Sequence, residues 1–279
     1  MSAAIGLTYR HELIAPGRYC MDLGLANRKA LVCASSQGLG KACAVALARE
    51  GALVTINGRD AARLQTAAME IFDLTRHRPQ TIVADVTTAE GRAALLRACP
   101  EPDILVTNNA GPSPGNPTHW TREIWITALE GNMLAAILLI QSVVPGMQRR
   151  GFGRVVNITS AMVKAPQLSM GLSAAARTGL TAFCKALSRE IAADNVTINN
   201  LLPERFDTPR LHAMTEHLAQ SKQRSNEEAR QLMVRSIPAR RFGRPEELGD
   251  ACAFLCAAQA GYISGQNLQL DGAAYPGLI

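Results

Sequence analysis

Short apolar runs alternate with longer stretches of helical period along most of this chain, and this alternation constrains the fold more than any other feature. The predicted strands are residues 30–33, 53–56, 81–84, 104–107, 154–157, 197–201 and 267–270. The predicted helices are residues 40–49, 60–74, 88–98, 121–147, 174–192 and 245–258. This order is typical of repeated βαβ units, whose crossovers are right-handed. It predicts a three-layer, doubly wound α/β fold around a parallel sheet.

One domain is enough to account for the chain. Of its 279 residues, 47% are hydrophobic and 19% are charged, which suffices to bury one parallel sheet. We predict a single domain over residues 21–279, preceded by an N-terminal extension at residues 1–20. Residues 210–237 are polar and helical in period, and we predict that they form a substrate lid over the carboxyl ends of the strands.

Charge and cysteine content argue against several classes of protein. The net charge of +6 comes from scattered Lys and Arg residues, and only 4% of residues are aromatic, which disfavours a nucleic-acid partner. The seven cysteines follow neither a disulfide framework nor a metal-ligand spacing. Residues 133–144 form an apolar run too short to span a membrane, and residues 1–20 lack the apolar core of a secretory signal. We therefore predict a cytoplasmic protein with no metal site and no membrane segment.

A glycine-containing turn follows the first predicted strand and leads into a helix. The turn reads CASSQGLG from Cys33 to Gly40. Its main-chain N–H groups and the positive end of the helix can face a pyrophosphate. Other motifs follow along the chain, namely NNAG at residues 108–111 directly after the fourth predicted strand, Asn132, VVNITS at residues 155–160 and ISGQNLQLDG at residues 263–272.

Together these motifs resemble the short-chain dehydrogenase/reductase family, and within it the 3-oxoacyl-(acyl carrier protein) reductase-like branch. The resemblance covers nearly the whole chain and implies a Rossmann fold that binds a nicotinamide dinucleotide. The contacts that it implies are Ala34, Ser35, Ser36, Gln37, Gly38 and Leu39 at the pyrophosphate, Asp85 and Val86 at the adenine, Asn109, Ala110 and Gly111 at the nicotinamide ribose, and Thr208 at the carboxamide or the phosphates. The turn departs from the family at Cys33-Ala34, where Thr-Gly is usual. Ala34 is tolerated there unless the position needs a positive φ.

The end of the second predicted strand distinguishes the two nicotinamide cofactors. A carboxylate at this point would bind the ribose hydroxyls of NAD, but the chain has Gly58 followed by Arg59. A guanidinium suits the 2′-phosphate of NADP. Asp60, one residue later, is predicted to begin the helix. These residues favour NADP over NAD.

The resemblance also assigns catalytic positions, and two of them carry unexpected residues. In the family, Asn supports a water, Ser orients the carbonyl, Tyr transfers the proton, and Lys lowers the pKa of the Tyr and holds the ribose. Asn132 and Ser160 match this group by local context. Ser173 stands where Tyr is expected, and Arg177 stands where Lys is expected. By the same resemblance, Arg177 would hold the ribose.

The phenol is not restored by any shift of the alignment, because no tyrosine occurs between Tyr19 and Tyr262. A tyrosine of the C-terminal tail could approach the site only through unusual packing or across a subunit interface. A serine hydroxyl is a far weaker acid than a phenol, and an arginine stays protonated, so neither takes over the proton transfer directly. The routes that remain open are Lys164 on the loop after Ser160, a water held by Asn132, Ser160 and Ser173, and His119. Glu204 and Arg205 stand where the family has Gly after Pro203, and both a substrate role and a surface ion pair are open for them.

These features predict an NADP-dependent oxidoreductase that interconverts a carbonyl and a hydroxyl group by hydride transfer. Its substrate is predicted to be a small carbonyl compound or alcohol, with acyl thioesters included. Two alternatives stay open: a catalytically silent NADP-binding protein that acts as a sensor or as a subunit of an oligomer, and an enzyme of different chemistry on the same fold. The resemblance also implies a homotetramer or a homodimer, with helices 121–147 and 174–192 paired across a two-fold axis.

Overall fold

A computed structural model describes residues 21–278 of the protein. One parallel sheet forms the centre of the molecule. Its strands are β1 (Lys29–Val32), β2 (Leu53–Gly58), β3 (Gln80–Val83), β4 (Ile104–Thr107), β5 (Gly153–Ile158), β6 (Val196–Pro203) and β7 (Asn267–Leu270). They are ordered β3-β2-β1-β4-β5-β6-β7, and every neighbouring pair is parallel. The predicted doubly wound fold is confirmed.

The helices of the described residues lie between these strands. They are α1 (Gly38–Arg49), α2 (Ala61–Thr75), α3 (Ala89–Ala98), α4 (Arg122–Leu129), α5 (Ala135–Arg150), α6 (Gly171–Ile191), α7 (Pro209–Lys222), α8 (Asn226–Arg235) and α9 (Pro245–Cys256). The predicted N-terminal extension at residues 1–20 lies outside the described residues.

Two apolar clusters cover the two faces of the sheet. Successive residues of a strand point to opposite faces. Accordingly, Ala30 and Val32 pack in a cluster with α1, α2 and α9, whereas Leu31 and Cys33 pack in a cluster with α3, α5 and α6. Because both faces are covered, β1, β2, β4, β5 and β6 are largely buried, which explains why they were recognisable in the sequence. The edge strands β3 and β7 are only partly buried.

The predicted helix at residues 121–147 is interrupted. A π-helical turn at Glu130–Leu134 separates α4 from α5, and Asn132 is in the middle of it. Such turns insert an extra residue without ending the helix and often occur at functional sites. The hydrophobic period alone did not reveal this interruption, because the chain remains helical on both sides of it.

By length and composition alone, the run Arg122–Arg150 could cross a membrane, although the shorter apolar run within it was predicted to be too short. The structure gives α5 a different role. Its side chains Leu139, Ile140 and Met147 are buried against the sheet. This helix therefore contributes to the core of a globular domain.

Arg154 is a charged side chain that is fully buried at the start of β5. Its guanidinium donates hydrogen bonds to the main-chain oxygens of Ala257 (3.2 Å), Gly153 (2.9 Å) and Asn195 (2.8 Å), and to Oδ1 of Asn195 (3.2 Å). It also stacks 4.3 Å from the centre of the Phe152 ring. Burial lowers the pKa of Arg154. This one residue therefore joins β5 to the segments before β6 and after α9.

Candidate nucleotide and active site

The turn between β1 and α1 lies at the carboxyl edge of the sheet, beside the point where the strand order reverses. No side chain caps the first turn of α1, which begins after Gln37. Within the described residues, the main-chain N–H groups of Ser36, Gln37 and Gly38 have no hydrogen-bond acceptor. Together with the positive end of α1, they form a site suited to a pyrophosphate.

Ser35 differs from the other predicted pyrophosphate contacts. Its hydroxyl donates to the main-chain oxygen of Val32 (2.7 Å) and accepts from the main-chain N–H of Asn57 (3.0 Å). Its own N–H donates to the main-chain oxygen of Asn57 (2.8 Å). Ser35 is buried, so it holds the turn against β2, and its polar groups are not available to a phosphate.

Ala34 adopts the left-handed conformation, with a φ of 44°. This is the condition under which alanine is a poor replacement for glycine, because its Cβ crowds the following carbonyl. The position is fixed by two hydrogen bonds: the N–H of Ala34 donates to Oδ1 of Asn57 (3.2 Å), and its carbonyl accepts from Nδ2 of Asn108 (3.1 Å). The missing family glycine therefore leaves strain in the turn.

Ala34→Gly is expected to raise the free energy of unfolding by about 0.5 to 1 kcal/mol, since relief of left-handed strain exceeds the added entropy of the unfolded chain. Urea denaturation would measure the change. As a control, Ala62→Gly at an exposed position of α2 should lower stability by about 1 kcal/mol. A loss of stability in Ala34→Gly would show that the position is not strained.

A second part of the site lies at the end of β2. A Cβ on Gly58 would be 3.1 Å from Cβ and Oγ of Ser36, so Gly58 keeps open the space beside that hydroxyl. Next to it, Nη1 of Arg59 lies 3.6 Å from Oδ2 of Asp85. Partial burial works against the charged form of Asp85, but hydrogen bonds from Thr87 and the charge of Arg59 lower its pKa overall. Asp85 is thus an anion that orients Arg59 towards the predicted adenosine end.

The NNAG run lines the opposite end of the site. Nδ2 of Asn109 donates to the main-chain oxygen of Gly131 (3.0 Å), and Oδ1 of Asn109 accepts from the N–H of Ala110 (2.9 Å). One cleft is lined by Val86, Asn109, Asn132 and Arg177, whereas Ser160, Ser173 and Lys164 lie outside its lining. The cleft therefore brings Val86 of the predicted adenine contact together with Asn109 of the predicted ribose contact. Two residues of the predicted catalytic group, Asn132 and Arg177, line the same cleft.

Asn132 and Arg177 form a direct pair. Nη2 of Arg177 donates to Oδ1 of Asn132 (3.1 Å), and Nδ2 of Asn132 donates to the main-chain oxygen of Ala128 (3.3 Å). Burial and the nearby charge of Arg210 lower the pKa of Arg177 to about 10. Arg177 therefore remains a cation at neutral pH.

Ser160 and Ser173 occupy different environments. Ser160 is half-buried, and its Oγ accepts from the N–H of Met162 (3.2 Å) at the start of a short 3₁₀-helix, Ala161–Val163. Ser173 is 1% exposed, and its hydroxyl has no hydrogen-bond partner among the described residues. It lies one turn before Arg177, on the same face of α6. An unpartnered buried hydroxyl is costly, and this one stands where the family carries its phenol.

The C-terminal tail brings a tyrosine to the loop after Ser160. Nζ of Lys164 lies 5.7 Å from the centre of the Tyr275 ring. Asp271 turns the chain after β7, because its carboxylate accepts from the N–H groups of Ala273 (2.9 Å) and Tyr275 (2.8 Å). Tyr275 was not among the site residues predicted from the sequence. The sequence feature that could have indicated its position is the pair of turn residues Asp271-Gly272, where the chain changes direction before Tyr275.

The segment predicted to form a lid consists of two helices, α7 and α8, which meet at a left-handed residue, Gln223. Thr208 begins α7 by accepting from the N–H of Leu211 (3.4 Å). Its Cγ2 lies 3.7 Å from where a Cβ on Gly38 would be. Thr208 therefore faces the turn before α1, where the resemblance placed it.

Glu204 and Arg205 form an ion pair, with 3.4 Å between Oε1 and Nε. Arg205 also donates to the main-chain oxygen of Met233 on α8 (3.2 Å). Of the two open roles, this geometry favours a structural one, because Arg205 anchors α8 to the end of β6. His119 is exposed, in a short helix at Pro117–His119, and no hydrogen bond in the described residues joins it to Ser160 or Ser173.

Arg210 is the other site residue that the sequence analysis missed. It is on the first turn of α7 and donates from Nη1 to the main-chain oxygen of Gly111 (2.8 Å) and from Nη2 to that of Pro112 (2.9 Å). No local motif marks it, because nothing in the sequence indicates that α7 crosses to the NNAG run. Its side chain closes the site from the lid side.

A parallel sheet with this strand order and an open helix N-terminus at its switch point defines a Rossmann-fold protein of the dinucleotide-binding class. The family model described as enoyl-(acyl carrier protein) reductase matches residues 33–273. The chain belongs to the short-chain dehydrogenase/reductase family of oxidoreductases, in its 3-oxoacyl-(acyl carrier protein) reductase-like branch, which confirms the resemblance seen in the sequence.

Two relatives and one solved structure illustrate this membership. The 3-oxoacyl-[acyl-carrier-protein] reductase FabG of Vibrio cholerae is 31% identical over 258 residues, which cover 91% of this chain and 99% of the relative. Dehydrogenase/reductase SDR family member 4 of Oryctolagus cuniculus is 33% identical, with 90% of this chain and 94% of the relative covered. The structure of L-sorbose reductase from Gluconobacter frateurii, complexed with NADPH and L-sorbose, is 29% identical with a TM-score of 0.87, and covers 92% of this chain and 100% of that chain.

Proposed function

We propose that this protein is an NADP-dependent oxidoreductase that interconverts a carbonyl and a hydroxyl group. The observation that carries this proposal is the end of β2, where Gly58 leaves space beside Ser36 and Arg59 presents a guanidinium. This pocket fits a 2′-phosphate and would leave the ribose hydroxyls of NAD without a carboxylate. The sorbose reductase of the same fold was solved with NADPH, which supports the same cofactor.

Several groups of this chain would hold the cofactor. The open N–H groups before α1 would hold the pyrophosphate, and Ser36 with Arg59 would hold the 2′-phosphate. Asn109 and Gly111 would border the nicotinamide ribose. When bound, NADPH would supply the hydride for reduction, and NADP⁺ would accept it for oxidation. The protein then has to orient the substrate and handle one proton.

Ser160 is the group that we expect to orient the substrate oxygen. Its Oγ is fixed by the N–H of Met162, which leaves its hydroxyl hydrogen to donate to a carbonyl. Lys164 follows on the same loop, and we propose it as the proton donor in place of the absent phenol. Tyr275 lies beside its ammonium group and would hold it at the site through a cation–π contact.

Arg59→Ala is expected to weaken NADPH binding by about 10- to 100-fold, because a charge-assisted contact to the 2′-phosphate is lost. NADH binding should change by less than about threefold, since NADH has no phosphate at that position. Fluorescence titration of both cofactors measures the two effects. Arg63→Ala on α2 is the control, because Arg63 pairs with Asp60 on the surface and should leave both affinities unchanged. Equal losses for NADPH and NADH in Arg59→Ala would contradict the assignment.

Turnover is tested with 3-oxoacyl thioesters, quinones and small ketones, followed through the absorbance of NADPH. The thioesters are included because the Vibrio cholerae relative is named for a 3-oxoacyl substrate. The silent-subunit alternative rests on the buried, unpartnered Ser173, which has lost the phenol of the family. NADPH binding without turnover on any of these substrates would favour that alternative.

We also propose that the protein is a cytoplasmic homotetramer, with a homodimer as the smaller assembly, and that residues 210–237 act as its substrate lid. Ile124, Leu134 and Leu138 are large apolar side chains that remain exposed on α4, the π-helical turn and α5. Sedimentation equilibrium should give the mass of four chains. Leu138→Glu should reduce that mass, because a charge in an apolar interface is costly. A monomer in the unsubstituted protein would contradict the proposal.

A further inference from the structure

Two arginines meet at the nicotinamide end of the site, one from α6 and one from the lid. We propose that Arg177 and Arg210 together bind the carboxylate of the substrate, so that the substrate is an oxo acid or hydroxy acid and not a neutral ketone. The proposal rests on the proposed function, because it names the substrate class of that same site.

Gly111 shows how close the two guanidinium groups are. A Cβ built on Gly111 would lie 3.2 Å from Nη2 of Arg177 and 3.4 Å from Nη2 of Arg210. Both cations therefore border one point beside the NNAG run. Any residue larger than glycine at position 111 would push against them.

The charge of this pair is not balanced by the protein. In the part of the chain that the structure describes, no carboxylate lies within ion-pair distance of Arg177 or Arg210. The neighbouring acidic residues form ion pairs with other side chains: Glu204 with Arg205, Asp207 with His212, and Asp85 with Arg59. Burial lowers the pKa of Arg177, and the nearby charge of Arg210 repels this cation and lowers its pKa further. An anion between the two groups would relieve that repulsion.

The neutral partners of the two arginines hold them in place without neutralising them. Arg177 donates to Oδ1 of Asn132, and Arg210 donates to the carbonyls of Gly111 and Pro112. Each guanidinium has five N–H donors, so donors remain for a ligand. A planar carboxylate matches this geometry better than a carbonyl does.

The anion belongs to the substrate and not to the cofactor. The phosphates of NADP have their own sites at the turn before α1 and at Arg59. Gly111 borders the opposite end, where the cofactor presents its nicotinamide and an uncharged ribose. Arg177, which the resemblance assigns to that ribose, has five N–H donors and can contact both a ribose hydroxyl and the carboxylate. Arg210 is exposed on the lid side, so a substrate that arrives from solvent reaches it. The buried hydroxyl of Ser173, on the same face of α6 as Arg177, is a further polar group without a partner in the described residues.

Isothermal titration calorimetry in saturating NADP⁺ tests the proposal without turnover. The probes are three matched pairs: pyruvate, acetoacetate and levulinate, each against its methyl ester. At least one acid should bind about tenfold or more tightly than its ester, which is the effect expected from one charge-assisted hydrogen bond.

The variants test whether Arg210 causes this preference. Arg210→Met should reduce it to less than about threefold. Arg210→Lys keeps the charge but not the forked guanidinium, and should give an intermediate value. Arg224→Met, at an exposed position after α7, is the control and should keep the full preference.

Two outcomes would overturn the proposal. The first is that no acid binds more tightly than its ester, or that Arg210→Met keeps the preference. The second is that Arg210→Met weakens NADPH binding itself by about tenfold or more, which would assign the pair to the cofactor. Failure of the unsubstituted protein to bind NADPH is a different result, because it would contradict the proposed function as a whole.

Discussion

Lys164→Met is expected to lower kcat for carbonyl reduction by about 10²- to 10⁴-fold, the usual contribution of a general acid. Lys164 is half-buried on the loop that Ser160 begins, and it carries the ammonium proton that Ser173 and Arg177 cannot supply. Methionine keeps the length and apolar stem of the side chain, so packing on the loop should be retained. Steady-state rates of NADPH oxidation measure the effect, and the NADPH dissociation constant should stay within about threefold.

Tyr275 provides the matched control for this prediction. Tyr275→Phe keeps the ring over which Nζ of Lys164 lies and removes only the phenol, so kcat should change by less than about threefold. Tyr275→Leu removes the ring and should lower kcat by about 3- to 10-fold, through a less well positioned ammonium group. A large loss in Tyr275→Phe, with little loss in Lys164→Met, would instead identify the phenol of the tail as the donor.

Arg154→Met is expected to lower the free energy of unfolding by about 3 to 5 kcal/mol. The side chain is fully buried, and its guanidinium holds three main-chain carbonyls and one amide oxygen. Methionine fills much of the volume but removes the donor from these acceptors, of which the carbonyls of Ala257 and Gly153 are buried. The midpoint of urea denaturation, at constant protein concentration, measures the change.

Arg28 is the matched control, because its guanidinium also lies over the Phe152 ring, at 3.7 Å from the centre. Its side chain is 38% exposed, and its ion pair with Asp103 spans 4.0 Å. Arg28→Met should therefore cost less than about 1 kcal/mol. If the two substitutions destabilised the protein equally, the stacking on Phe152 and not the buried hydrogen bonds would explain the effect of Arg154.

The strands were predictable from the sequence because both faces of the sheet are buried. β4 and β7 have the predicted bounds, Ile104–Thr107 and Asn267–Leu270. β5 and β6 extend beyond their predictions by one or two residues at the ends. A buried parallel strand is a local apolar run between turn residues, so its position depends on little beyond the run itself. Helix ends and the π-helical turn at Asn132 depend on packing between neighbours and were predicted less well.

The site residues also fall into two groups, those that a local motif predicted and those that depend on contacts between distant segments. The positions of Ser160 and Arg59 were predicted from motifs at strand ends, and that of Asn132 was predicted from its match to the family's catalytic group. The backbone strain at Ala34, in contrast, arises because Asn57 and Asn108 fix its N–H and carbonyl from other strands. Ser35 likewise accepts a hydrogen bond from Asn57 on β2, which is distant in sequence.

Local sequence alone was enough to predict the parallel sheet, the glycine-containing turn and the preference for a 2′-phosphate. It also predicts that Ser173 and Arg177 replace the family's Tyr and Lys. Tertiary structure alone showed what surrounds that altered pair. Arg210 reaches Gly111 from the lid, and Tyr275 reaches Lys164 from the tail. Hydrophobic period and turn residues are encoded locally, whereas these contacts join segments far apart in the chain that meet only when the lid and the tail fold over the carboxyl edge of the sheet.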